Sequence, residues 1–121
     1  MDFHRSQRVA EVLHQEISSL IQFELKDPRL GFVTITGVEV TSDIQHAKVF
    51  FTVVGDEAER KSSTKALESS GRFLRKQLGS RIHLRSIPEL TFHYDQSIEY
   101  GNRIESLLRE INQDQDNAAE D

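Results

Sequence analysis

Between Ser6 and Glu24 the apolar residues Val9, Leu13, Ile17, Leu20 and Ile21 recur at i, i+4, i+8, i+11 and i+12, and beyond Pro28 that spacing is gone. The first pattern is one stripe of an amphipathic helix. Pro28 forbids its continuation, because proline has no N–H to donate and its ring clashes with the preceding turn. Phe32 to Thr41 is instead rich in β-branched residues, and Ala47 to Val54 repeats that character after the polar turn Thr41, Ser42, Asp43. The two runs read as paired antiparallel strands. Gly37, inside the first, marks a bulge or a close backbone approach.

After a turn at Gly55, Asp56 and Glu57, a helical pattern runs from about Ala58 to Leu78. On a single helical wheel Lys61, Lys65, Arg72, Arg75 and Lys76 fall within an arc of roughly 100 degrees, opposite Ala66, Leu67, Phe73, Leu74 and Leu78. Gly71, preceded by Ser69 and Ser70, interrupts the pattern and predicts a kink between two helices. Its glycine is expected to serve a positive φ or a close backbone approach, so that alanine there destabilises. Gly79 is the expected C-cap. Pro88 precedes a third strand, Glu89 to Tyr94, whose Leu90 and Phe92 point to the core. A last helix is expected from about Gln96 to Ile111, with Ile104, Leu107, Leu108 and Ile111 at helical spacing. The polar, acidic residues 112–121 are expected to be a disordered tail. The order α-β-β-α-α-β plus a terminal helix predicts an α+β fold with a three-stranded sheet backed by helices. A chain of 121 residues, 36% hydrophobic, has enough apolar side chains for one core and too few for two. One domain over 1–111 is the expectation.

Charge is distributed unevenly along this chain. From Arg60 to Arg85 there are eight cations against the single acid Glu68, a segment near +7 in a chain of net charge -5, leaving about -12 elsewhere. A solvated helix surface normally mixes signs, and a membrane-bound helix needs its apolar side for lipid, which a small domain needs for its core. A localised polyanion fits better: arginine and lysine meet phosphates by charge and forked hydrogen bonding. There is no cysteine for a disulfide or thiolate metal site, no apolar run near 18 residues, and no signal-peptide core in Met1 to Arg8, which together imply a cytoplasmic protein without a membrane partner. The five histidines lack metal-ligand spacing. His93, Asp95 and Ser97 offer triad residue types without a nucleophile elbow, and neither GxGxxG nor a Walker loop occurs. No enzyme, metal, cofactor or small-molecule substrate is expected.

An RRM requires aromatic RNP strands, a pattern that Phe50, Phe51, Phe92 and Tyr94 do not make. A KH domain requires a GxxG clamp between two helices, and here Ser69, Ser70, Gly71 stand at that break. Positive charge without the clamp favours recognition of folded RNA through its backbone and shape.

The segments QRVAEVL (7–13), KDPRLGF (26–32), VTITGVEVTSDIQHAKVFFTV (33–53), SSGRFLRKQLGSRI (69–82) and RSIPELTFHYDQS (85–97) resemble, in order and spacing, those of the bacterial ribosome-binding factor A family. The resemblance covers about Arg5 to Ile111. It implies a type II KH-like fold in which an Ala-x-Gly kink replaces the GxxG loop; Gly71 matches the glycine and Ser69 departs from the alanine. It also implies a non-enzymatic factor, a monomer, that binds the small ribosomal subunit and its rRNA during late maturation, near the decoding region, with a link to growth in the cold. The expected RNA-binding residues are Lys61, Lys65, Arg72, Arg75, Lys76, Arg81 and Arg85, with Arg5 and Arg8 as lesser candidates. The alternative is a protein-interaction module whose acidic surface docks on a basic ribosomal protein.

Overall fold

The computed structural model describes residues 3–97, so most of the expected terminal helix and the whole tail lie outside the described residues. Helix α1 (Phe3–Ser19) carries the predicted stripe, with Val9, Leu13 and Ile17 buried. Its continuation is not regular: Leu20–Glu24 form a π-helical turn, closed by the Leu25 N–H donating to the Leu20 carbonyl at 2.8 Å. The wider turn accompanies the burial of both Leu20 and Ile21. At the following bend the Arg29 guanidinium beside Asp27, 2.8 Å from its carboxylate, holds that carboxyl below the usual aspartate range.

Strands β1 (Phe32–Val40) and β2 (His46–Val54) pair antiparallel, and β3 (Glu89–Tyr94) joins β2 in parallel, giving the sheet order β1-β2-β3. The register shifts between Ile35 and Gly37, so the glycine does mark a bulge. His14 on α1 meets the Ile35 carbonyl there at 3.0 Å; its Nε2 must donate. The β1–β2 turn departs from a purely polar reading. Ile44 is buried although its φ is 58°, a conformation unfavourable for a β-branched residue, and burial of its side chain offsets that strain.

Helices α2 (Glu57–Ser69) and α3 (Gly71–Arg81) lie between β2 and β3 in the chain. Asp56 caps α2, its carboxylate accepting the Glu59 N–H at 2.9 Å, and Gly55 precedes it at φ 136°, where a Cβ would strike the Glu59 side chain. Helix α3 runs through Gly79 to Arg81, which corrects the expected cap. Ile82, packed in extended geometry against the core, ends the helix instead. The helices share one face of the sheet. Ala47, Val49, Phe51 and Val53 of β2 are buried on that face with Leu13, Ile17, Leu20, Leu67, Leu74 and Leu78, and Leu90 and Phe92 pack half-buried against the cluster. The Tyr94 ring meets Phe51 edge-on, with centroids 5.8 Å apart, and the Arg60 guanidinium lies 4.0 Å from the Tyr94 centroid.

Two adjacent serines of α2 fasten the bend that precedes β1. Fully buried Ser63 accepts the Gly31 N–H at 2.8 Å, whereas partly exposed Ser62 donates to the Arg29 carbonyl at 2.8 Å. Ser63→Ala is therefore expected to cost about 1–2 kcal/mol and Ser62→Ala less than about 1 kcal/mol, read as shifts in urea midpoint. Equal effects of the two substitutions would contradict this assignment.

Candidate nucleic-acid interface

The break between α2 and α3 is made by Ser70. Its φ of -92° and ψ of 2° leave the helical region, its N–H donates to the Leu67 carbonyl at 3.1 Å, and its hydroxyl donates to the Ala66 carbonyl at 2.6 Å. Its own carbonyl still accepts the Leu74 N–H at 2.9 Å, so α3 starts without a gap in its hydrogen bonding. Ser69 is exposed, and a hydroxyl there needs no partner in the core. The expected kink is present, but the expected demand on Gly71 is not. Gly71 has no positive φ, and an added Cβ would meet nothing within 4 Å.

All nine cations named from the sequence are exposed residues, yet they differ in what holds them. Arg72 and Lys76 sit one turn apart on α3 and make no ion pair among the described residues; Lys65 on α2 and Arg85 in the loop before β3 likewise make none. Lys61 faces Glu57 at 3.7 Å in an exposed i,i+4 pair, a contact worth a few tenths of a kcal/mol that a stronger anion displaces. Arg75 donates to the Ile87 carbonyl at 3.1 Å, tying α3 to the loop, so it is not a side chain that can be reversed without structural effect. Arg81 is committed further. It reaches Glu16 at 3.2 Å and Glu24 at 3.8 Å, linking the end of α3 to α1 and the π-helical turn, and two carboxylates match its charge. Arg5 and Arg8 lie near the start of α1, with Arg8 about 12 Å along the helix axis from Glu16.

The single helical wheel also misplaced Phe73. With the phase broken at Ser70, Leu74 and Leu78 turn inward and Phe73 is 38% exposed, between Arg72 and Lys76 on α3. An exposed aromatic flanked by cations combines a stacking surface with phosphate ligands. The SSG sequence before it was the available signal, since a break there resets which α3 residues face the core.

A match to the ribosome-binding factor A family covers residues 5–108. The chain belongs to that family. Ribosome-binding factor A of Geobacter sulfurreducens is 53% identical over 109 residues, 90% of this chain and 92% of that one, and the protein of the same name from Trichlorobacter lovleyi is 53% identical over 111 residues. The crystal structure of ribosome-binding factor A from Thermus thermophilus superposes with a TM-score of 0.66 at 26% identity, covering 74% of this chain and 93% of that one. Coordinates of the Thermus thermophilus factor fitted into a cryo-EM map of its complex with the 30S subunit give a TM-score of 0.61 at 26% identity, over 72% of this chain and 91% of that one. The α+β, KH-like architecture of ribosome-binding factor A is thus that of this chain, with the Ser69-Ser70-Gly71 break where a KH domain carries its clamp.

Because Gly71 is in ordinary helical geometry with open space beside it, Gly71→Ala is expected to stabilise the fold by about 0.4–1 kcal/mol through the unfolded chain. This reverses the expectation from sequence. A lower urea midpoint for the alanine variant would show that the kink needs glycine after all.

Proposed function

We propose that this chain is a non-enzymatic assembly factor that binds the small ribosomal subunit during late maturation, contacting rRNA through the outer surface of α2 and α3. The observation that carries the reading is the exposed set Lys65, Arg72, Phe73 and Lys76 beside the Ser70 break, in a chain whose charge elsewhere is strongly negative. Lys61 and Arg85 extend the phosphate-contacting surface, Arg75 contributes charge from its tether on the loop, and Arg5 and Arg8 add a second, smaller contact on α1. Arg81 serves mainly to hold α3 to α1. The relatives' common name and the 30S complex of the Thermus thermophilus factor support the small subunit as partner. In this reading the protein acts in the cytoplasm as a monomer on folded rRNA, and its importance is greatest in the cold, where misfolded RNA helices rearrange slowly.

Sedimentation with isolated small subunits tests the proposal. Arg72→Glu with Lys76→Glu should leave the circular dichroism unchanged and weaken binding, with a salt slope flatter by about 0.7–0.9 in log affinity against log salt for each phosphate no longer neutralised. Phe73→Ala should keep the fold and weaken binding by about 1–3 kcal/mol if the ring stacks on a base. Unchanged affinity and salt slope in the folded charge-reversal variant would sink the assignment. A complex that survives nuclease digestion of the RNA would point to a ribosomal protein as the partner instead.

A further inference from the structure

The sheet order leaves β1 at an edge, and two hydrogen bonds show which of its backbone groups face outward. The Phe51 carbonyl of β2 turns to the β3 side, where it accepts the Asp95 N–H at 2.7 Å, and the Ile35 carbonyl opposite turns the other way, to His14 at 3.0 Å. Ile35 and Phe51 are therefore a pair that exchanges no backbone bonds, and two residues back Val33 and Val53 are another. The N–H and C=O of Val33 thus point out from the free edge, and neither has a partner among the described residues.

Folded proteins blunt such an edge with charge, proline, a bulge or a covering element. From Ile35 onward β1 has a bulge and the His14 side chain of α1; Phe32, Val33 and Thr34 have no such device. Beside them runs a groove of about 530 Å³. All four residues from Phe32 to Ile35 line it, although their side chains alternate between the two faces of the sheet, so the groove follows the edge of the strand and lays its backbone bare. Its other wall is Ile21 and Gln22 of the π-helical turn with Leu25 and Leu30 of the bend, apolar but for the glutamine. Lys26, also in the lining, is exposed and makes no ion pair among the described residues, whereas neighbouring Asp27 is matched by Arg29.

An unpaired strand edge along an apolar groove takes an extended peptide, whose backbone completes the ladder while alternate side chains enter the groove. Four residues of strand are about 13 Å long. That suits a short linear segment better than a folded subunit or a second copy, since stable interfaces between folded proteins cover about 800 Å² on each side. We infer that the Phe32–Ile35 edge binds an extended segment of a partner protein as an added strand, with apolar residues at alternate positions toward Ile21 and Leu25 and a carboxylate for Lys26. The site uses none of the cations assigned to rRNA and stands independently of that reading.

Random linear decapeptides displayed on phage and selected on the full-length protein test this. Selected peptides are expected to carry apolar residues at alternate positions and an acid near one end. Synthesised and added to the protein, they should shift the amide signals of Val33 and Thr34 and leave those of Arg72 and Phe73 in place. In the free protein the Val33 amide should exchange fast with solvent and the Thr34 amide slowly, and the peptide should slow Val33 manyfold. Lys26→Glu, an exposed change, should weaken the peptide several-fold. Val33→Pro removes the outward N–H at a place where an edge strand tolerates proline, and should abolish binding. No enriched peptide, or peptides that bind Lys26→Glu and Val33→Pro as tightly as the parent, would overturn the inference. A Val33 amide already protected in the free protein would overturn it too: protection lost on dilution assigns the edge to a second copy, and protection that persists assigns it to another part of the same chain.

Discussion

The middle strand β2 buries one face under the helices α1, α2 and α3, and that contact organises the molecule. Phe51, wholly buried at its centre, contacts Tyr94 of β3 and lies opposite Ile35 of β1, so its burial fixes both neighbouring strands. Three helices must then share the same face. The 13 residues of α2 and 11 of α3, if drawn with Ser70 as one straight helix, would extend about 38 Å, well beyond a β3 of 6 residues. Breaking the helix at Ser70 lets Ala66 and Leu67 on one side, and Leu74 and Leu78 on the other, reach the same core. The hydrogen bonds of Ser70 make the break inexpensive.

The arrangement of charge follows from that break. Once Leu74 and Leu78 point inward, Arg72, Phe73 and Lys76 must point outward. Three other arginines of the basic segment are employed within the fold: Arg60 on Tyr94, Arg75 on the Ile87 carbonyl, Arg81 on Glu16 and Glu24. A segment that appears in the sequence as one basic block is therefore partly an exposed cationic surface, the proposed rRNA contact, and partly a set of fasteners. Charge reversal at a fastener perturbs both roles, whereas Arg72 and Lys76 report on the surface alone.

Much of this was legible in the sequence. The strands lie within about a residue of the β-branched runs, Gly37 marks the bulge, the break falls at the predicted serines, and the motif order identified the family. What was not legible depended on distant partners or on phase. The Arg81–Glu16 pair spans 65 residues, beyond any local pattern. Phe73 was assigned to the core because one helical wheel was carried through a break that the same sequence announced. The helix ran past Gly79 because Ile82, and not the glycine, meets the core in extended form. Gly71 was read as a required glycine, yet the kink geometry resides one residue earlier, in a serine whose hydroxyl and N–H satisfy the end of α2. The terminal helix and acidic tail remain expectations for residues outside the described range, which leaves the one-domain division as a proposal.

The proposed meeting of rRNA with the outer surface of α2 and α3 can be mapped on the native small subunit by hydroxyl radicals. These are generated from an iron chelate tethered at a single introduced cysteine, since the chain has none of its own. Ser69→Cys places the source at the exposed break without removing a cation, and Glu39→Cys places it on the exposed side of β1. Strand cleavage of small-subunit rRNA is expected from Ser69→Cys and little from Glu39→Cys. Cleavage from the Glu39 position with none from the Ser69 position would contradict the proposed interface.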